Sequence, residues 1–481
     1  MRNLFVLGLL ALTLTGCVTE DDSGNQVNSH HSDQPTISEE SPMPDDATTD
    51  HFYFSYDDSS STAARDLSIF SLENGTTPAT SWGRAYEFLN AEQFDHFAPE
   101  SAGPFQVSFG SYMSQAGEFQ IAPEEERVLA LGINISGPTM TKQERPNVVL
   151  TLLVDISGSM SSQYASETRN DIQSLLDVTK HGLQQLPLSL KSGDVVNLVT
   201  FDTNANIVVE GWQADQADWN QIVSGLSTNG STNLNVGIQL AYEVANRQYN
   251  AAKSNRVVIL TDAYANRGTI DANTISEHTV INGLEGIHFA GIGIGNGFNE
   301  DFLNELTEAG KGVYSAMITP NDAERIFTNG FMRFIDSAVK DVKFKLEYPS
   351  SLKHVVSAAE ETSENENEIQ SIEFAYNSDQ FFFELFSPQN DYSDQSDITL
   401  VIQYKGQDGK MKSERLTKSI TDLLQQGDVQ IKAAAAVSTL AFLISGNASC
   451  EDITASGLSQ QQVESQVFND YKQYINTFCS L

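Results

Sequence analysis

Five oxygen-bearing side chains stand where loops would leave one edge of a sheet. They are Asp155, Ser157 and Ser159 in "VDISGSM", Thr232 in "NGSTNLNVG" and Asp262 in "ILTDAY". Oxygen is the donor that hard divalent cations take, and Mg²⁺ takes about six in near-octahedral geometry. Two carboxylates and three hydroxyls, completed by water, meet that need. Two Asp balance a 2+ charge without exceeding it, so such a cation stays electrophilic enough to accept a carboxylate from outside. The alternation in Asp155-x-Ser157-x-Ser159 lets one tight turn aim three oxygens together, with Gly158 easing the bend. Taken singly, each residue has an ordinary reading as an N-cap, a turn residue or a strand-end acid. The ordered set is what points to a metal.

These residues need a scaffold that brings three loops to one edge. "NVVLTLLVD", "DVVNLVTFD", "RVVILTD" and "IHFAGIGIG" are near-continuous apolar runs, as suits strands buried on both faces of a mostly parallel sheet. Helical patterns alternate with them. In "DIQSLLDVTKHGLQQL", Ile172, Leu175, Leu176, Thr179, Leu183 and Leu186 fall on one stripe. "NLNVGIQLAYEVANRQY", "NEDFLNELTEAG" and "DAERIFTNGFMRFIDSAV" read as three further helices. The alternation predicts an α/β, doubly wound sheet over residues 145–337, with ligands bound where strands release their carboxyl ends.

The set Asp-x-Ser-x-Ser, then a distant Thr, then a distant Asp, resembles the metal-ion-dependent adhesion site of von Willebrand factor type A domains. All five positions are present in order. The resemblance implies a Rossmann-like fold, a bound divalent cation held by Asp155, Ser157, Ser159, Thr232 and Asp262, and a protein partner that presents an Asp or Glu to it. Mg²⁺ is the expected cation, with Ca²⁺ and Mn²⁺ compatible with the same ligands. The family usually carries Gly after the strand-end Asp, whereas this chain carries Ala263. If that position needs a positive φ, Ala costs energy there. Outside this domain, "FSYDDSSSTAARDLSIF", "GPFQVSFG", "RVLALGINI", "KDVKFKLEYP" and "VQIKAAAAVSTLAFLI" resemble the flanks of bacterial YfbK-like lipoproteins.

The flanks read as further regions. Residues 51–140 mix strand signals with a helical piece at "GRAYEFLNAEQFDHF", a flanking α+β region. Over residues 338–426 the period changes to alternation, as in "DVKFKLEY", which predicts a β-rich, antiparallel domain wet on one face. Residues 427–481 read as a C-terminal helical region, opened by an Ala-rich buried helix too short and too polar-flanked to span a membrane.

The 481 residues carry 27 Lys+Arg against 64 Asp+Glu, a formal −37. Nucleic acid is excluded as a partner, since it needs clustered basic residues, and so is peripheral binding to anionic lipid. Residues 1–16 read as a signal peptide, and Leu14-Thr15-Gly16-Cys17 resembles the bacterial lipobox. That resemblance implies lipidation at Cys17 and a membrane anchor, with sorting to the outer membrane, on its periplasmic or surface face. A plain secretory signal with a chance cysteine is the alternative. Residues 17–50 carry acids, Ser and Pro and no Lys or Arg, as a disordered acidic tether would. In an oxidising compartment Cys450 and Cys479 could pair or stay as two buried thiols.

"GIGIGNG" at residues 291–297 fails the spacing of a dinucleotide fingerprint. No G-x-S-x-G is present, and no histidine stands ready as a base for Ser157 or Ser159, so the chain does not read as an enzyme. The expected function is a lipid-anchored cell-envelope protein whose cation-dependent domain binds a partner. The alternatives are a structural scaffold in which metal only stabilises the domain and, more remotely, a metal-assisted hydrolase.

Overall fold

A computed structural model describes residues 49–481, apart from 57–60, 115–117, 119–120, 123–124, 126, 164–171, 265–285, 310–311, 336, 407 and 452–460. The signal peptide, Cys17 and all but the end of the tether lie outside the described residues.

The strands before the metal motif are β1 (Thr49–Ser55), β2 (Glu100–Ala102), β3 (Phe105–Met113) and β4 (Leu129–Ser136). Then come β5 (Val148–Asp155), β6 (Val195–Phe201), β7 (Ala205–Gln213), β8 (Ser254–Thr261), β9 (Ile287–Ile294) and β10 (Tyr314–Met317). These six form one sheet in the order β10-β9-β8-β5-β6-β7. All its pairs are parallel except the edge strand β7, which returns antiparallel along β6. Every residue of β5, β6 and β9 but His288 is buried.

Alternate residues feed two cores, as period-two side chains must. Leu150, Leu152 and Val154 of β5 face Leu176, Val178 and Leu183 of the helix Leu175–Gln185. Leu153 faces Ile238, Ala241 and Tyr242 of the helix Leu234–Gln248. A sheet covered on both faces is the doubly wound α/β architecture. Parallel strands place the ends of β5, β6 and β8 on one edge, and that edge carries the candidate site.

The remaining strands are β11 (Ser337–Pro349), β12 (Leu352–Ser357), β13 (Glu361–Ser363), β14 (Ile372–Ala375), β15 (Asp379–Pro388), β16 (Asp397–Lys405) and β17 (Met411–Ser419). Residues 51–140 and 338–426, expected as separate regions, intercalate into one body. β1 lies between β13 and β11 in the sheet β13-β1-β11-β16-β17, with β14 also on β11. β4 lies between β15 and β3 in the sheet β12-β15-β4-β3-β2. The two sheets share one core, where Phe54 meets Phe382 at 4.8 Å and Phe344 meets Phe382 at 4.9 Å between ring centroids. The metal-motif domain is therefore inserted between β4 and β11 of a β body.

The Ala-rich helix Asp428–Ser445 belongs to the same core and buries Ile431, Val437 and Leu440. Contrary to the reading that it is too short and too polar-flanked to span a membrane, at 18 residues it is long and apolar enough to do so by length and composition, yet most of it is buried inside the body. It lies so close to the sheet that a Cβ at Gly132 would meet Ile431 at 2.7 Å and one at Gly110 would meet the Gln426 carbonyl at 2.4 Å. These two glycines are partners across β3 and β4. Beyond this helix, Cys450 and Cys479 are joined by a disulfide with a Cα–Cα distance of 5.6 Å.

The expected helix over "DAERIFTNGFMRFIDSAV" is divided in the structure. A capping box from Thr319 and Asp322 starts the helix Pro320–Phe327. The chain then leaves helical angles at Thr328 and makes a short 3₁₀ turn at Phe331–Phe334. By Ser337 it has entered β11.

Candidate metal centre

The centre is built from the end of β5 outward. Asp155 is the last residue of that strand and is fully buried. Its Oδ1 accepts the Ser157 N–H at 2.8 Å, which closes the turn and sets the hydroxyl of Ser157 beside it. Ser157 Oγ and Ser159 Oγ lie 3.0 Å apart. The second carboxylate arrives from β8: Asp262 directly follows its last residue, is 3 % exposed, and takes a hydrogen bond from the Ser159 side chain. Asp155, Ser157, Ser159 and Asp262 thus form one connected group of oxygens.

Thr232 comes to the same edge on a loop that is tied at both sides. The Asn229 N–H donates to the Ile156 carbonyl at 2.7 Å, and the Gly158 N–H donates to the Gly230 carbonyl at 3.1 Å. Thr232 itself is 1 % exposed and sits two residues before the helix Leu234–Gln248. A Cβ at Gly230, where φ is +65°, would meet Thr203 Oγ1 at 2.7 Å, so this loop depends on glycine to reach the site.

Three supporting residues escape the motif. Thr261 donates its hydroxyl to Asp155 Oδ2 at 2.6 Å and the same oxygen accepts the Ala263 N–H at 2.8 Å. Asp202, just past the end of β6, takes the Asn233 N–H on its carbonyl at 2.8 Å and the Asn229 side-chain amide on Oδ2 at 2.8 Å. Asn299 donates its N–H to the Asp262 carbonyl at 3.0 Å. Asp202 carried a readable signal as a third strand-end acid in "VTFD". Thr261 and Asn299 carried none.

Ala263 has φ +55° and is 1 % exposed. The position therefore does require the left-handed region in which glycine is favoured, and this chain occupies it with alanine.

Burial pushes the Asp155 carboxyl up to about 6, against the hydrogen bonds from Ser157 and Thr261 and with the neighbouring Asp262 charge adding to the rise. Burial raises Asp262 as well, opposed by the Ser159 hydroxyl. Among the described residues no basic side chain pairs with either acid. Two buried carboxylates that repel each other, ringed by hydroxyls, match the oxygen set and charge of a divalent-cation site. No cluster of three or more His, Cys, Asp or Glu is found among the described residues, in keeping with a donor set in which three of the five candidates are hydroxyls.

A serine, a histidine and an aspartate also meet in the β body, without the order a catalytic triad needs. The Ser136 hydroxyl contacts His96 Nε2 at 2.7 Å and also bonds to Asp379. The other imidazole nitrogen faces Ser108 Oγ at 3.0 Å. In a triad the acid orients the imidazole, whereas here it holds the serine.

Residues 150–265 match the family model of the von Willebrand factor type A domain. The chain is 26 % identical over 233 residues to the uncharacterised protein YfbK of Escherichia coli, covering 48 % of this chain and 39 % of YfbK. It is 24 % identical over 212 residues to the inter-alpha-trypsin inhibitor heavy chain H3 of Rattus norvegicus, covering 42 % of this chain and 22 % of the relative. It therefore spans well under half the length of either relative. A solved von Willebrand factor type A structure from Catenulispora acidiphila is similar over 77 % of this chain and 89 % of its own, with 14 % identity and a TM-score of 0.42. Residues 150–265 thus match a von Willebrand factor type A domain, and the chain around them is similar to YfbK over about half its length.

Proposed function

We propose that Asp155, Ser157, Ser159, Thr232 and Asp262 hold a divalent cation, Mg²⁺ in the first instance, and that the domain uses it to bind a protein partner through an Asp or Glu. The observation that carries this reading is the pair of buried acids, Asp155 and Asp262, linked through Ser157 and Ser159 with no described basic counterion. When bound, such a cation supplies a Lewis-acid position for a partner carboxylate. The chain's own residues orient the oxygens and keep bulk water from the carboxylates. Tyr264, 52 % exposed and two residues after Asp262, offers an aromatic contact at the rim, the residue type enriched where partners dock.

The experiment is a pull-down from cell-envelope extract with and without EDTA, with Asp155→Ala as control. Capture that needs both the cation and Asp155 supports adhesion. A variant that only melts earlier, with no partner depending on metal, supports the scaffold reading instead. Location is proposed on the same footing: the chain is a cell-envelope protein anchored through lipid on Cys17, at the outer membrane. Cys17→Ser then moves the protein to the soluble fraction, and continued membrane association refutes the anchor.

A further inference from the structure

Arg84 belongs to the β body, at the start of the helix Ala85–Ala91, far in sequence from the metal motif. Its guanidinium bridges two carboxylates, Glu87 on its own helix and Glu300 on the inserted domain. Both acids are nearly inaccessible, with side chains 1 % and 3 % exposed. Glu87 is itself fixed, since its Oε2 accepts the Ser61 hydroxyl and the Ala64 N–H, each at 2.9 Å. The Arg84–Glu87 pair is therefore a rigid fixture on the body side.

On the domain side, Glu300 opens the helix Glu300–Ala309, and the residue before it is Asn299. Asn299 is pinned in both directions. Its carbonyl accepts the first helical bond, from the Leu303 N–H at 3.1 Å, and its side chain accepts the Phe302 N–H at 3.4 Å. Its own N–H holds the carbonyl of Asp262 at 3.0 Å. An unbroken path thus runs from Glu87 through Arg84, Glu300 and Asn299 to the backbone of Asp262.

We infer that Arg84 is a positioning residue for the metal centre: by holding the start of the Glu300 helix it fixes Asp262, so the β body sets the cation affinity of the inserted domain. This rests on the cation reading given above. Without the guanidinium, two buried carboxylates lose their shared counterion, and Glu300 must turn toward water. That rotation carries Asn299 away from Asp262, whose backbone has no slack because the next residue already sits at φ +55°.

The test measures Mg²⁺ affinity of the full chain by titration calorimetry, for the wild type and for Arg84→Met, Arg84→Lys, Glu300→Gln, Arg145→Met and Asp155→Ala. Arg145 is the matched control. It forms a fully buried pair with Asp194, more enclosed than the Arg84 pairs, at the opposite edge of the sheet where β5 and β6 begin. Arg84→Met is expected to weaken Mg²⁺ binding about tenfold, the lower end of what lost outer partners cost a metal site. Arg84→Lys recovers most of that loss. Arg145→Met lowers the melting temperature yet leaves the affinity at the wild-type value. If Arg84→Met does not fold, Glu300→Gln decides, with a severalfold loss expected.

Wild-type affinity in Arg84→Met or Glu300→Gln, alongside loss of binding in Asp155→Ala, overturns this inference and leaves the cation site standing. Equal weakening in Arg84→Met and Arg145→Met also overturns it, since the effect is then general destabilisation. A wild type that binds no Mg²⁺ overturns the cation reading and this inference with it.

Discussion

Thr261 and Asp155 are joined across two strands by a single hydroxyl, 2.6 Å from the carboxylate oxygen. The same hydroxyl oxygen accepts the Ala263 N–H, so one side chain sets both an acid of the centre and the backbone beside the other acid. Thr261→Val keeps the shape and deletes the hydroxyl. The buried Asp155 oxygen then lacks its donor, at a cost of about 1–3 kcal/mol. Urea denaturation should show that loss, and Thr261→Ser should restore most of it. An unchanged midpoint in Thr261→Val would remove Thr261 from the account.

Ala263 holds a left-handed backbone that glycine adopts freely. Ala263→Gly relieves a strain of about 1 kcal/mol, less part of the entropy that glycine adds to the unfolded chain. The variant should melt slightly higher than the wild type and bind Mg²⁺ at least as well. A lower melting temperature would mean that the Ala263 methyl, buried against the helix side of the sheet, is worth more than the strain.

The stability of the inserted domain should depend on pH through His288 on β9. Burial lowers this imidazole to about 4, and Arg256 on β8 and Lys340 on β11 push the same way while Glu373 on β14 opposes them. The unfolded imidazole titrates near its ordinary value of about 6.5. Between those values the unfolded chain binds a proton that the folded chain refuses. The contribution is therefore complete above about 6.5 and is lost as pH falls toward about 4, by no more than about 3 kcal/mol. His288→Gln should flatten this part of a pH–stability curve measured with urea. The same slope in both proteins would assign it to other groups.

Reducing the Cys450–Cys479 disulfide opens a loop with a sequence separation of 29. The chain-entropy estimate for a loop of that length puts the loss at about 3.6 kcal/mol. A Cys450→Ser, Cys479→Ser double variant should lose that stability in the β body while Mg²⁺ affinity stays near wild type. A large change in affinity would connect this end of the chain to the metal centre by a route not seen among the described residues.

The metal-motif domain was the most legible part of the chain because its signals are local. Strands β5, β6, β8 and β9 are buried on both faces, so each reads as an uninterrupted apolar run. The edge strand β7 was not read. Most of its residues face solvent, and its one-sided pairing leaves no strong period. β10 is four residues long, too short to carry a pattern. The five candidate ligands could be gathered from the sequence because each sits at a strand end or a helix start. Thr261, Asn299 and Arg84 could not, because their contacts span 106, 37 and 216 positions of chain and none belongs to a spaced pattern. The same blindness split the β body: nothing in "HFYFSY" says that it will lie beside "DVKFKLEY".

That pairing has a mechanical consequence. β1 and β11 run antiparallel through six matched pairs, from Thr49 with Pro349 to Phe54 with Phe344. Tension entering ahead of Thr49 and leaving through the inserted domain at Ser337 would grip the two strands at opposite ends. Such a pull strains all six pairs together, in shear, instead of unzipping them one by one. A pull of that kind would have to break the β1–β11 pairing as a unit before the two strands could part.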